Sequence, residues 1–217
     1  MGEVNLLHRY PRAKRNVAAR HVEQKQNSQI ARSFGKEYFD GAREQGYGGY
    51  KYDGRWVPIA EDIIAHWGLK PGDRVLDIGC AKGFLVKDLM TVCPGLEVFG
   101  VDISDYAVRN CEPEVVGRLH VGSCENMPFP DNSFDAAISI NAIHNLDHEG
   151  CVRALREMVR VSSKNNYIQV DSYRTEEEKE NMEKWILTAV TAYDPDGWRR
   201  LFSEAGYDGD YYWTITE

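Results

Sequence analysis

Hydrophobic positions follow two alternating patterns from residue 57 to the end of the chain. Short apolar runs such as VLDI at 75–78 have the length of buried strands, whereas PIAEDIIAHW at 58–67 repeats its apolar residues at helical spacing. Strands are predicted over 75–78, 97–101, 119–121, 134–140, 167–171 and 211–215, and helices over 58–67, 84–92, 105–111, 150–161, 175–192 and 195–205. This alternation predicts an α/β fold with a doubly wound, mostly parallel sheet and helices on both faces.

Residues 1–56 lack this alternation and divide into two parts. The stretch RNVAARHVEQKQNSQIARSFG has loosely spaced apolar residues that predict a helix ending at Gly35. The segment 35–56 then intersperses six glycines with six aromatic residues, which excludes a long helix or strand and predicts an ordered loop. We therefore predict two units: an N-terminal cap at 1–56, made of a basic helical arm and an aromatic–glycine lid, and a ligand-binding domain at 57–217.

Charge is distributed unevenly over the chain. Residues 1–36 carry eight basic residues and two glutamates, a net +6, and because the total is −8 the remaining residues carry −14. The basic residues are Arg9, Arg12, Lys14, Arg15, Arg20, Lys25, Arg32 and Lys36. Such an arm is either a solvated segment or a surface that meets phosphate or another anion.

Composition also indicates the class of protein. No apolar run is long enough to cross a bilayer, and the N-terminus lacks the apolar segment of a secretory signal. The five cysteines are widely spread without a Cys-x-x-Cys pair, which favours reduced thiols over a disulfide or a metal site. We expect a cytoplasmic protein that binds no metal, and the sequence does not indicate its oligomeric state.

A glycine-broken bend follows the first predicted strand. The sequence DIGCAKG places Asp77 two residues before Gly79, and Gly83 opens a helix. The glycines let a ligand approach the backbone, and the helix offers free N–H groups. The spacing differs from the G-x-G-x-x-G of dinucleotide sites, which disfavours a nicotinamide dehydrogenase. A carboxylate at this position would repel a pyrophosphate, but it suits a ligand with an ammonium or sulfonium charge.

A second carboxylate, Asp102, ends the next predicted strand, 25 residues after Asp77. At that position a carboxylate accepts hydrogen bonds from two ribose hydroxyls. An adenosine that carries a cationic amino-acid tail and no phosphate suits both carboxylates, because its tail matches Asp77 and its ribose matches Asp102. The predicted cofactor is therefore S-adenosylmethionine, or SAM.

Residues 58–172 resemble the class I SAM-dependent methyltransferases, which have a Rossmann-like fold, and within them the UbiE-like group that acts on small molecules. The segments that show this resemblance are VLDIGCAKG, GVDIS, GSCENMPFPDNSFDAAISINAIHNL and YIQVDSY. By this resemblance the residues around SAM would be Asp77, Gly79, Cys80, Ala81, Gly83 and Asn141 at its methionine part, and Asp102, Ile103, Ser123, Cys124 and Glu125 at its adenosine. Ala81 replaces the family's middle glycine, and Ser123 replaces its usual aspartate. One final strand is predicted where the family usually has a two-strand hairpin.

The methyl acceptor is expected near the carboxyl ends of the fourth and fifth predicted strands. His144 and His148 follow the fourth strand, and Asp171 and Tyr173 end the fifth. Histidine titrates near neutrality, so either one is a candidate general base; the alternatives are that His144 packs within its loop and that His148 is solvated. Asp171 is the third catalytic candidate, and Tyr173 is a candidate for orienting the acceptor.

Tyrosines of the lid are predicted to close over the pocket. Tyr38 and Tyr47 are assigned to the cofactor, because aromatic faces attract a sulfonium cation, and Tyr50 and Tyr52 are assigned to the acceptor. The alternative is a packing segment that contacts no ligand. Aromatic residues nearer the C-terminus are expected in the core, namely Trp185, Trp198, Tyr207 and Trp213.

Together these features predict an enzyme that transfers a methyl group from SAM to an oxygen or nitrogen atom of a small, anionic metabolite. One alternative is an RNA or protein methyltransferase that grips its substrate with the basic arm, and another is a non-catalytic SAM-binding protein. The acidic body and the lack of an RNA-binding module or N-P-P-Y motif disfavour nucleic acid as the partner.

Overall fold

A parallel sheet runs through the part of the chain that the computed structural model describes, residues 2–11 and 15–216. Its six strands are β1 (Arg74–Ile78), β2 (Glu97–Asp102), β3 (Leu119–Val121), β4 (Phe134–Ile140), β5 (Ser162–Asp171) and β6 (Asp210–Thr214). They lie in the order β3-β2-β1-β4-β5-β6, and every neighbouring pair is parallel. The strand order reverses between β1 and β4, so a crevice opens at their carboxyl ends, where ligands bind in this architecture.

Helices cover both faces of this sheet, which confirms the predicted doubly wound, Rossmann-like architecture. Those in the described residues are α1 (Val17–His21), α2 (Gln24–Ala31), α3 (Lys36–Asp40), α4 (Val57–Trp67), α5 (Phe84–Val92), α6 (Asp105–Arg109), α7 (His148–Val161), α8 (Glu176–Trp185) and α9 (Pro195–Ala205). Val75 packs in one apolar layer with α4 and α5, whereas Leu76 packs in the other with α7 and α9. Consecutive strand residues point to opposite faces, so β1 is buried on both sides.

Helix α8 is shorter than the predicted helix over 175–192. It ends at Trp185 because the following backbone is used in tertiary contacts instead. The N–H groups of Val190 and Thr191 both donate to the carbonyl oxygen of His144, at 2.9 and 3.0 Å. The Thr191 hydroxyl also donates to the carbonyl oxygen of Leu146, at 2.7 Å. These bonds replace the last two turns of the predicted helix.

The sheet ends at β6 rather than in a hairpin. Among the described residues no seventh strand follows, and the outer edge of β6 meets the start of the chain. The N–H of Val4 donates to the carbonyl oxygen of Tyr211 at 2.9 Å, and the N–H of Tyr211 donates to that of Gly2 at 3.0 Å. The N-terminal residues therefore cover part of an otherwise open strand edge.

The described N-terminal residues, 2–11 and 15–56, pack against the elements that surround the sheet. Leu6 is buried in the apolar layer that contains α4 and α5. The predicted single helix of the arm is instead two short ones, α1 and α2, separated at Glu23, whose φ of 54° is left-handed. Arg12 and Lys14 of the basic arm lie outside the described residues.

All five cysteines are free thiols, and Cys80 and Cys151 are buried. Within residues 2–11 and 15–216, no helix is both long and apolar enough to span a membrane. The same residues include no group of three or more His, Cys, Asp or Glu side chains placed to hold a metal ion. Trp198, Tyr207 and Trp213 are buried in the core, as predicted.

A mostly buried ion pair fastens the lid to the bend after β1. The Lys82 ammonium donates to both carboxylate oxygens of Asp40, at 2.8 and 2.7 Å, and to the carbonyl oxygen of Tyr50, at 3.1 Å. The hydroxyl of Tyr106, on α6, donates to Asp40 at 2.7 Å. The side chains of Lys82 and Asp40 are only 11% and 25% exposed. The lid thus depends on a charge pair that water reaches poorly.

We expect the substitution Asp40→Ala to destabilise the protein by roughly 2–3 kcal/mol, because it leaves the Lys82 ammonium buried without its partner. Urea unfolding would measure this loss, and hydrogen exchange should show faster exchange over residues 34–52. Asp53→Ala is the matched control, since it removes an exposed ion pair with Arg55 in the same segment and should change stability by less than about 0.5 kcal/mol. Equal effects of the two variants would contradict a structural role for the buried pair.

Candidate active site

A cavity of about 340 Å³ opens at the carboxyl ends of β1, β2 and β4, and we call it the small cavity. The predicted adenosine residues all line it: Asp102, Ile103, Ser123, Cys124 and Glu125. Phe34 and Phe39 of the cap complete its wall, although the sequence did not single them out as site residues. Ile103 exposes 58% of its surface, which leaves an apolar face available to a flat ligand.

A second cavity of about 1030 Å³ adjoins the first, and we call it the large cavity. Five predicted residues line the large cavity alone, namely Asp77, Cys80, Tyr50, His144 and Asp171. Five more line both cavities: Tyr38, Tyr47, Gly79, Ala81 and Asn141. The two cavities therefore share a wall built from the bend after β1, the end of β4 and the lid.

The carboxylate of Asp102 is held in place by backbone. Its Oδ2 accepts from the N–H of Ala81 at 2.7 Å, and its Oδ1 accepts from the N–H of Ser104 at 2.8 Å. Burial raises the pKa of Asp102, and these two donors oppose the shift by stabilising the charged form. Each carboxylate oxygen can accept a further hydrogen bond, so the group can still bind a ligand diol.

Asp77 is more isolated than Asp102. Its side chain is 5% exposed and has no hydrogen-bond or ion-pair partner within the described part of the chain. Burial, followed by the negative charge of Asp102, raises the pKa of Asp77 to about 7. A buried, unpaired carboxylate is costly to ionise unless a ligand supplies a cation.

The backbone around these acids is unusual in conformation. Ala81 and Asn141 have left-handed φ angles of 49° and 53°, a conformation that is uncommon for non-glycine residues and recurs at functional sites. Gly79 also has a positive φ, and a Cβ there would lie 2.3 Å from the Cβ of Ala142. Gly79 therefore brings the ends of β1 and β4 together as well as lining both cavities.

The chain is similar to known methyltransferases. A family model described as a methyltransferase domain matches residues 76–169. A demethylmenaquinone methyltransferase of Symbiobacterium thermophilum is 32% identical over 116 residues, which are 50% of this chain and 45% of that protein. A Mus musculus protein named "Probable tRNA methyltransferase 9B" is 33% identical over 117 residues, 53% of this chain and 25% of its own length. A methyltransferase solved in complex with the Haloferax volcanii Trm112 activator has a TM-score of 0.57 and 25% identity, and the match covers 68% of this chain and 66% of that one.

The chain carries a class I SAM-dependent methyltransferase domain. The matched residues 76–169 run from β1 into β5 and include both buried acids. The cap lies outside this match, and the chain spans less than half the length of either curated relative.

The side chains of the methyltransferase domain fit its cofactor. Asp102 would accept hydrogen bonds from the ribose hydroxyls, and Ile103 would pack on the adenine. Asp77 has the negative charge and the free acceptor sites that an ammonium group needs. Burial raises the pKa of Cys124 to about 12, so the small cavity presents a neutral thiol at that position.

His144 and Asp171 form one unit in the large cavity. The N–H of Asp171 donates to Nδ1 of His144 at 2.9 Å, which assigns the proton of the neutral ring to Nε2. That Nε2 lies 3.7 Å from the Asp171 carboxylate. Burial lowers the pKa of His144 although the Asp171 charge opposes this. The neutral ring has no free lone pair, so the geometry favours Asp171 over His144 as the group that accepts a proton.

Four predicted site residues lie outside the lining of both cavities: Gly83, His148, Tyr52 and Tyr173. His148 is the first residue of α7, and its Nε2 lies 3.0 Å from the Glu204 carboxylate, away from the site. The Tyr52 hydroxyl donates to Asp88 at 2.6 Å. A Cβ on Gly83 would lie 2.8 Å from the Val115 side chain, so this glycine permits helix packing rather than ligand contact. The structure therefore does not bring these four residues to either cavity.

The electrostatics of Asp77 predict a pH dependence of SAM binding. Only the ionised carboxylate attracts the ammonium group, so affinity should rise as pH increases from 5.5 towards 7 and level off above it. Below the pKa, the slope approaches about tenfold per pH unit. Isothermal titration of SAM across this range would measure it. In the Asp77→Asn variant the affinity should be weaker and the slope between pH 6 and 7.5 should vanish; an unchanged slope would contradict the assignment.

Proposed function

We propose that the protein transfers the methyl group of SAM to an oxygen or nitrogen atom of a small, anionic metabolite. The observation that supports this most strongly is the wall shared by the two cavities. The small cavity contains the residues suited to adenosine, and the large cavity has a volume of about 1030 Å³, which is enough for a metabolite beside the remainder of the cofactor.

The cofactor site combines charge complementarity with exclusion of water. When bound, SAM supplies an electrophilic methyl group on a sulfonium. Asp102 holds the ribose diol, and Asp77 holds the ammonium group. Tyr38 and Tyr47, which line both cavities, enclose the cationic part of the ligand with aromatic faces. Alignment and exclusion of water supply much of the rate in a displacement of this kind.

Asp171 is proposed as the general base. As the acceptor oxygen or nitrogen forms its bond to the methyl carbon, its proton passes to the Asp171 carboxylate. The backbone N–H of Asp171 fixes the His144 ring beside that carboxylate. The Nε2–H of His144 lies 3.7 Å from the carboxylate, beyond hydrogen-bond distance, and is placed to donate to the acceptor.

A nucleic-acid acceptor is the competing possibility, since one relative is named as a tRNA methyltransferase. The charges of the chain support a small molecule better. Arg15, Arg20 and Arg43 of the cap line the large cavity, so part of the cap's positive charge faces inward. The net charge of −8 also opposes binding to RNA.

The experiment that tests this function supplies methyl-labelled SAM with two substrates: a metabolite extract below about 1 kDa, and total tRNA. Transfer of label to the metabolite fraction supports the proposal, provided that it is lost when Asp102 is substituted. Label that transfers only to tRNA would establish the competing function. No transfer to either fraction, with normal SAM binding, would overturn both.

We expect Asp171→Asn to lower kcat by about 100-fold or more, because the acceptor loses its base, while the Kd for SAM stays within twofold. His148→Asn is the matched control, since this histidine lies outside both cavities, and it should leave kcat unchanged. Steady-state rates with the identified acceptor and isothermal titration of SAM would measure both variants. If the two variants have the same rate, Asp171 is not the base.

A further inference from the structure

Several arginines converge on one tryptophan in the large cavity. The guanidinium carbons of Arg20 and Arg43 lie 4.7 and 5.6 Å from the centroid of the Trp185 ring, and that of Arg15 lies at 5.3 Å. These residues come from the basic arm, from the lid and from the end of α8, and all four line the large cavity. Trp185 therefore belongs to the site, and the prediction that it lies in the core is wrong.

The positive charges of Arg20 and Arg43 are not neutralised by a carboxylate. Among the described residues neither guanidinium forms an ion pair, and their partners are uncharged carbonyl oxygens. Arg20 donates to the carbonyls of Arg43 and Gly46, and Arg43 donates to those of Gly46 and Tyr47. The Nε of Arg20 is buried and has no hydrogen-bond partner. A buried donor of this kind is costly to leave unpaired.

The two cations also repel one another. Burial, followed by the charge of Arg43, lowers the pKa of Arg20 to about 10. Glu44 acts in the opposite direction but forms no ion pair with Arg20 in the described chain. One arginine packed on Trp185 would be enough to hold the arm against α8. A second guanidinium beside the first repels it and so weakens the packing of the arm. The arrangement is therefore explained better by an anion that binds between the guanidinium groups.

Arg55 provides a contrast within the same cavity. It also lines the large cavity, but its guanidinium donates from Nε to both carboxylate oxygens of Asp53, at 2.8 and 2.9 Å. Its charge is thus already paired. An arginine in this lining can therefore be paired, whereas Arg20 and Arg43 at Trp185 form no ion pair among the described residues.

We propose that Arg20 and Arg43, stacked on Trp185, form the seat for an oxyanion of the methyl acceptor, either a carboxylate or a phosphate monoester. This inference rests on the proposed function, in which the large cavity receives the acceptor. The planar guanidinium groups bind such oxygens by paired N–H donors, and Trp185 fixes their planes. The acceptor would then carry its anionic group at Trp185 and its reacting atom near Asp171.

Tryptophan fluorescence provides a test that does not require catalysis. The intact protein would be titrated with two probes, inorganic phosphate and malonate, which distinguish a phosphate from a carboxylate seat. We expect a saturable change in emission with at least one probe, and loss of that signal in Trp185→Phe. Arg20→Met and Arg43→Met should each raise the probe's Kd at least tenfold. Arg55→Met is the matched control and should change it less than twofold, while SAM affinity stays the same in all variants.

The outcomes separate this inference from the function on which it rests. A probe that binds equally well to Arg20→Met, Arg43→Met and Arg55→Met would overturn the seat, as would the absence of any saturable signal. If Arg20→Met fails to fold, the Arg43→Met variant alone tests the seat, because Arg43 is on the exposed lid. Normal anion binding without methylation of any small molecule would overturn the proposed function and leave the seat intact. Methylation of a small acceptor with unchanged kcat/KM in Arg43→Met would overturn only the seat.

Discussion

The desolvation of two neighbouring carboxylates, Asp77 and Asp102, is the constraint on which the site depends. They lie near the carboxyl ends of the adjacent parallel strands β1 and β2, and no basic side chain in the described residues forms an ion pair with either. Burial raises the pKa of both acids, and the charge of Asp102 adds to the shift at Asp77. Ionising them together is therefore unfavourable until a cation enters. With the proposed assignments, SAM would bring positive charge to Asp77 and a ribose diol to Asp102, and would relieve a cost that the fold itself creates.

The cap contributes positive charge to the large cavity, in contrast to the two carboxylates. The ion pair between Lys82 and Asp40 ties the lid to the same bend that follows Asp77. In this position the lid and arm bring Arg20 and Arg43 into the large cavity. In the proposed function, acidic groups face the cationic cofactor and arginines face the acceptor. On this proposal, electrostatics as well as shape would direct two ligands of opposite charge to different parts of one continuous site.

Local sequence patterns were sufficient to predict most of the sheet. The run at 134–140 and the segment 195–205 were predicted with the observed bounds, because a buried strand and a capped amphipathic helix each leave a local signature. The end of α8 was mispredicted, since the N–H of Val190 bonds to a distant carbonyl instead of continuing the helix. The cluster of Arg20 on Trp185 could not be predicted either, because residues so far apart in sequence meet only through tertiary packing.

Hydrogen exchange with and without SAM tests the central claim, that strand ends and cap form one cofactor site. We predict slower exchange on binding in three places at once: the bend at 77–83, the loop at 101–106 and the lid at 34–50. Helix α9, which packs on one face of the sheet and lines neither cavity, should remain unchanged. Protection confined to the bend and the loop, with no effect on the lid, would contradict the account.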